Sequence, residues 1–243
     1  AMTRWFVATR GRALAVAGIG FMIGEATLPL IMVWLKSFTD WRTLWLWFAL
    51  ACVVLSIVIY NLLRLERTPQ AEANATATTG LGDKHWTRAM ALSHPLFWLT
   101  VPGIVFFSAF GTAFWFHQVH FAEIKGFAHL SLVAVFPLGT IALAISTIIY
   151  GWAIDRFGVV RLMPLYILPY VAAFVIHWYA PNLIWTAVAV VLMGIAGGGN
   201  GTILSACWAT FYGTRFIGSI KAAAAALMVL GSAIGPGLSG YLI

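Results

Sequence analysis

Charge is what this chain has least of. Asp, Glu, Lys and Arg make up 9% of its 243 residues, against about 25% in a soluble domain. A soluble fold with a large core is excluded, because its water-facing surface would have nothing to be made of. Cysteine is limited to Cys52 and Cys207, in or beside different apolar runs, and no spacing pairs them in a disulfide framework. No Gly-rich phosphate loop followed by Lys and Ser or Thr occurs, which argues against an ATP-driven machine. No Ser–His or paired-carboxylate arrangement falls at membrane depth, so the residues do not describe an enzyme. They call for no cofactor and no metal. The net charge of +7 must be read loop by loop, and it implies no nucleic-acid partner.

What the chain does have is length of apolar sequence: 62% of its residues are hydrophobic and the mean hydropathy is +0.93. Spans are expected at about 13–35, 43–63, 96–118, 130–154, 162–178, 183–206 and 220–243. A helix of about 23 residues rises about 35 Å and crosses a hydrocarbon layer of about 30 Å. Barrel strands of about 9–11 alternating residues do not fit these runs. The class is therefore all-α, a polytopic membrane protein with the lipid bilayer as partner. Trp34, Trp41, Trp45, Trp98, Trp178, Tyr179 and Trp185 fall near span ends, as interfacial belts require. The first run is too long for a signal-peptide core, contains Glu25 and precedes further spans.

Eleven of the Lys and Arg residues fall in segments on one side of these spans and three, Lys36, Arg42 and Lys125, on the other. The positive-inside rule then places the N-terminus of this segment in the cytoplasm. The long connection 64–95 reads as a linker, Ala-, Thr-, Pro- and Gly-rich from Thr68 to Gly82. From Lys84 to His94 a basic stretch with Trp86, Met90 and Leu92 suits a short amphipathic surface helix.

Between two apolar runs lies Gly151-Trp-Ala-Ile-Asp155-Arg156-Phe-Gly158-Val-Val-Arg161. The glycines let the chain reverse and the backbones approach, while the charges stay at the polar interface. The first and last spans also share a pattern. Gly20 and Gly24 precede Glu25, Gly231 and Gly235 precede Pro236, and Arg10 and Lys221 each lie 14 residues before the second glycine. Small residues four apart allow close helix approach, and repeats of this kind underlie many secondary transporters.

These motifs resemble those of the major facilitator superfamily, with further texture at Arg4-Trp5-Phe6 and Arg10-Gly11 similar to its bacterial oxalate and monocarboxylate carrier branch. The resemblance implies a twelve-helix carrier in which these spans are helices five to eleven. Residues 1–63 would then be the last two helices of the N-terminal half, 64–95 the inter-half loop, and 96–243 five helices of the C-terminal half. It further implies missing helices on both sides of this segment, a monomer when full length, a multi-pass place in the plasma (inner) membrane, and no transport by these residues alone.

Few residues can carry transport chemistry. Glu25, deep in the first span where the resembled motif usually has proline, can bind and release a proton, or else holds two helices together. His117, Gln118, His120 and Glu123 end the third span, and His117 and His120 share a face if the helix continues. Two histidines without a third ligand make a weak metal site; an outward polar cluster on a substrate path and plain interfacial residues are equal alternatives. His177 is read as interfacial. Gly197-Gly198-Gly199-Asn200-Gly201 suits either tight packing or a cavity-lining bend with Asn200 on the substrate. Pro137, Gly139 and Pro169 offer bends.

The expected function is secondary active transport of a small solute by alternating access. The resemblance suggests a monocarboxylate or other organic anion and proton symport. Against the anion, 130–154 contains no basic residue and 220–243 only Lys221, at its edge. The alternative is a seven-helix receptor or photoreceptor. It fits poorly, because such proteins have their N-terminus outside and a retinal pigment needs a deeper lysine.

Overall fold

The computed structural model describes residues 20, 23–24, 27–63 and 77–243. All the regular structure among them is helical. The chain divides into two units, Ala1–Ala75 and Thr76–Ile243.

In the first unit, α1 (Thr27–Lys36) and α2 (Trp41–Leu63) are joined by a turn ending at Asp40. The Asp40 carboxylate accepts from the Thr43 amide at 3.3 Å and from the Thr43 hydroxyl, which caps the free amides at the start of α2. Among the described side chains of α2 only Leu44 is buried, so the apolar surface of this helix suits lipid or further helices rather than water. Of the predicted first span, 13–19, 21–22 and 25–26 lie outside the described residues.

The second unit begins with a strap: a 3-10 turn (Leu81–Asp83) and α3 (Arg88–Leu92), capped by the Thr87 hydroxyl. Five residues are helical where the sequence suggests a helix over 84–94; Lys84–Thr87 stay extended. Next come α4 (Pro95–Phe116), α5 (Gln118–Ile124), α6 (His129–Val133) and α7 (Phe136–Phe157). They are followed by α8 (Val159–Leu162), α9 (Leu168–Tyr179), α10 (Leu183–Tyr212) and α11 (Ile217–Leu242). Among the described residues, five helices are long and apolar enough to cross a membrane: α2, α4, α6–α7 taken together, α10 and α11.

The expected span 162–178 is corrected. It is a 12-residue helix preceded by turns: Pro164 has no amide to donate back to the helix before it, and Pro169 falls in the first turn of α9, a helix-starting position rather than a mid-span one. Hydrogen bonds there tighten to three-residue spacing, as in Leu165 N–H to the Leu162 carbonyl at 3.0 Å. Pro137 is likewise no mid-span bend, since it sits in the first turn of α7, where its missing N–H costs nothing.

Two seams join helices that run parallel. Along α4 and α11, Gly231 faces the Val105 carbonyl and Gly235 the Ala109 carbonyl, and Ser108 Oγ donates to the Met228 carbonyl at 2.8 Å. Along α7 and α10, Gly139 faces Val190 and Gly194, Leu143 faces Gly197, and Ser146 faces Gly198. In both seams the partners advance together. Met163 meets Cys207 and Tyr166 meets Gly199, so α9 runs antiparallel to α10.

Small residues line the seams and large apolar ones face outward: on α7, Ile141, Ile145, Ile148 and Trp152 are exposed, while Gly139, Ser146 and Ala153 are buried. This inside-out arrangement belongs to helices solvated by lipid. These directions gather Lys84, Arg88, Arg156, Arg161, Arg215 and Lys221 at one end of the unit, with Lys125 at the other.

Candidate functional site

The charged turn is formed by the end of α7 and α8. Gly158 takes φ 77° and ψ 154° at the junction, a region essentially restricted to glycine, and its amide closes α7 on the Ile154 carbonyl at 2.9 Å. Gly151 has nothing within 4 Å of where a Cβ would stand. Asp155, Arg156 and Arg161 are all exposed. The Arg156 guanidinium lies over Trp152 at 5.7 Å and Phe157 at 5.9 Å, and the three charges form no ion pair among the described residues. They are displayed at the end of the α7–α10 seam rather than used within it.

At the opposite end the helix does not continue through His117. It breaks there, at φ −98° and ψ 16°, and restarts as α5, so the face shared by His117 and His120 assumes a continuity the backbone lacks. His117 Nε2 lies 3.1 Å from the Pro236 carbonyl. A carbonyl only accepts, so Nε2 carries the proton. Gly240 leaves room for the ring, since a Cβ there would stand 3.3 Å from Cε1. The buried oxygen of Gln118 and Nε2 of His120 have no hydrogen-bond partner among the described residues, and no group of three metal-ligating side chains forms among them.

Asn200 lies elsewhere, in the middle of α10. Its Oδ1 is buried with no hydrogen-bond partner among the described residues, beside Gly199, where a Cβ would crowd Tyr150 and Tyr166. His117 and Gln118 thus form one locality and Asn200 another. Gly197, Gly198 and Gly199 stay within an unbroken helix, and their faces are occupied by Leu143, Ser146 and Tyr150. Gly231 and Gly235 meet the backbone of α4, and Pro236 is carried inside α11. Among the described residues nothing stands within 4 Å of a Cβ on Gly20, and only Leu28, at 3.6 Å, near one on Gly24. Glu25 lies outside the described residues.

Sequence reading missed the seam between α4 and α9. Phe107 stacks on Tyr170 at 4.3 Å, Phe110 meets Phe174 at 5.6 Å, and Phe114 stacks on His177 at 4.6 Å. His177, in the last turn of α9, is therefore buried in an aromatic box. The available signal was the spacing Tyr166, Tyr170, Phe174, His177, one face of a helix. Near the basic end an apolar cleft of about 340 Å³ opens between α4 and the 160–167 segment, walled by Leu96, Thr100, Gly103, Met163 and Tyr166.

Parallel helices sealed by glycine, with apolar flanks outward and charges confined to the ends, define a multi-pass membrane protein. A family model described as Major Facilitator Superfamily matches residues 1–243, and the chain belongs to that family. It is also similar to proteins called "Multidrug resistance protein B homolog" from two strains of Mycobacterium tuberculosis. Each is 30% identical over 122 residues, covering 49% of this chain and 23% of theirs. The match therefore spans under a quarter of each relative's length.

Proposed function

We propose that this chain is part of a secondary active transporter that moves a small solute by alternating access. One observation carries the reading: Asp155, Arg156 and Arg161, exposed and without an ion pair among the described residues, at the Gly158-capped end of a glycine seam. Charges held rigidly at a helix end and unused by their own unit suit a contact made in one state and broken in another. Residues 1–63 supply two helices of an N-terminal half, 64–95 the inter-half connection, and 96–243 helices of the C-terminal half. The positive-inside rule puts the N-terminus of this segment in the cytoplasm, in the inner membrane of a bacterial cell, and the carrier works as a monomer.

Asn200 and Gln118 present buried, unpartnered oxygens suited to a solute's donors, and His117 offers Nδ1 while Nε2 stays committed to Pro236. Glu25 is the candidate proton carrier for symport. An organic anion would need a cation that α4, α7 and α10 do not offer at mid-depth. The relatives' printed name, multidrug resistance, favours a second reading, a drug-like solute, and the apolar cleft suits an apolar one.

The test is uptake or efflux by the full-length protein in proteoliposomes. Asp155→Asn is expected to lower the turnover rate with little change in apparent affinity, and Glu25→Gln to abolish acceleration by a proton gradient. Normal turnover in Asp155→Asn would overturn the gating role, and proton-driven transport by Glu25→Gln the coupling role.

A further inference from the structure

The strap is fastened to the α10–α11 turn. The Thr78 amide donates to Thr214 Oγ1 at 2.8 Å, and the Thr214 amide returns to the Thr78 carbonyl at 3.0 Å. A Cβ on Gly80 would overlap the Phe211 carbonyl, and one on Gly213 the Thr78 carbonyl, so both positions admit only glycine at this approach. Trp86 Nε1 donates to the Leu81 carbonyl at 2.9 Å, and its ring meets Tyr212 and His94 edge-on at 5.3 and 4.9 Å. The segment from Ala77 is therefore an ordered surface, not a free linker.

That surface is basic and edged with aromatics. Lys84 and Arg88 project from the strap, exposed. Arg215 follows Thr214, its guanidinium 5.5 Å from the Phe216 ring. Lys221 stands half-buried near the start of α11, the helix on which α3 packs. The strap's one acid, Asp83, has its carboxylate engaged by the Thr79 hydroxyl at 2.6 Å. Trp98, in the first turn of α4, is 52% exposed, with its indole fixed on the Leu92 carbonyl at 2.8 Å, and Phe216 is exposed too. Cations interleaved with exposed aromatics at the ends of membrane helices match the polar and apolar layers of a leaflet. Their fixed placement spares the ordering entropy that a mobile basic loop would lose on binding.

We infer that the docked strap and the α10–α11 turn form a platform for anionic phospholipid headgroups. The phosphates sit among Lys84, Arg88, Arg215 and Lys221, while Trp98 and Phe216 enter the acyl boundary. A free phosphate or a nucleic acid would use the cations but leave the aromatics idle. The inference stands independently of what the protein transports.

The experiment is photo-crosslinking of the full-length protein with a photoactivatable phosphatidylglycerol, the adducts being mapped by peptide mass spectrometry. Adducts are expected in 77–98 and 213–221, competed by unlabelled phosphatidylglycerol but not by phosphatidylcholine. Each cation neutralised, as in Lys84→Gln or Arg88→Gln, should weaken labelling there by roughly fivefold. Arg161→Gln, on the other turn, should leave it unchanged. Thr214→Val, which removes the strap's acceptor without altering charge, should also weaken it. Equal labelling by a zwitterionic probe, or unchanged labelling in Arg88→Gln or in Thr214→Val, would overturn the inference.

Discussion

Tyr170 and Phe107 are joined twice: their rings stack at 4.3 Å, and Tyr170 Oη donates to the Phe107 backbone carbonyl at 2.8 Å. Gly111 makes this possible, because a Cβ there would stand 2.6 Å from the hydroxyl. Tyr170→Phe should therefore lower stability by about 0.5–1.5 kcal/mol, the ordinary worth of such a bond. Gly111→Ala should cost more, by crowding the hydroxyl. The two should be less than additive, since removing the hydroxyl relieves the crowding. Thermal unfolding of both single variants and the double variant in detergent measures the coupling, and strict additivity would contradict it.

The glycines of α10 differ in what they face. Gly194→Ala would drive a methyl into the Gly139 carbonyl, whereas Gly201 has nothing within 4 Å. The first should destabilise by about 1–3 kcal/mol as an overpacked contact, and the second should be neutral or slightly stabilising, as Gly→Ala in an open helix position is. Melting temperatures of the pair settle the contrast.

Gly158→Ala tests the turn without touching a charge. Its backbone lies at φ 77° and ψ 154°, where a side chain costs on the order of 1–3 kcal/mol. The expected outcome is faster hydrogen exchange confined to the end of α7 and α8. Protection lost evenly along the chain would instead point to general misfolding.

Asp40 gives a pH dependence with a definite sign. Hydrogen bonds from Thr43 hold its carboxyl below the ordinary carboxylate value, so its ionised form is favoured in the folded state. Its contribution is present above the unfolded value of about 3.9 and is lost as pH falls through the lowered folded one. The protection of the Thr43 amide, relative to its intrinsic exchange rate, should fall on acidification below pH about 4, and Asp40→Asn should abolish that dependence. Identical pH profiles in the two proteins would exclude the carboxylate as the cap.

Much of the architecture was legible because hydropathy reports how long a helix must be. The expected spans 43–63 and 96–118 lie within two residues of Trp41–Leu63 and Pro95–Phe116. Hydropathy cannot report hydrogen bonding, so the apolar run 162–178 hid the turns around Pro164 and the late helix start at Leu168. Neither can it report contacts across the chain. Thr78 and Thr214 are 136 positions apart, and nothing near either foretells the clasp. His177 stands next to Trp178 in sequence, yet the helix turns it onto Phe114 while Trp178 stays 81% exposed. For the candidate sites, the type of residue was readable, but not which of them would gather.

The parallel seams impose a schedule on synthesis. A parallel partner cannot be the neighbouring helix of a chain that reverses at every crossing, so each seam waits for a later one. Ser146 waits 48 positions for Gly194, and Ser108 waits 120 for Met228. At about 5–20 residues per second, α4 spends on the order of ten seconds beside lipid or insertion machinery before α11 exists. Its glycine-matched face is then bare, and the ribosome sets how long.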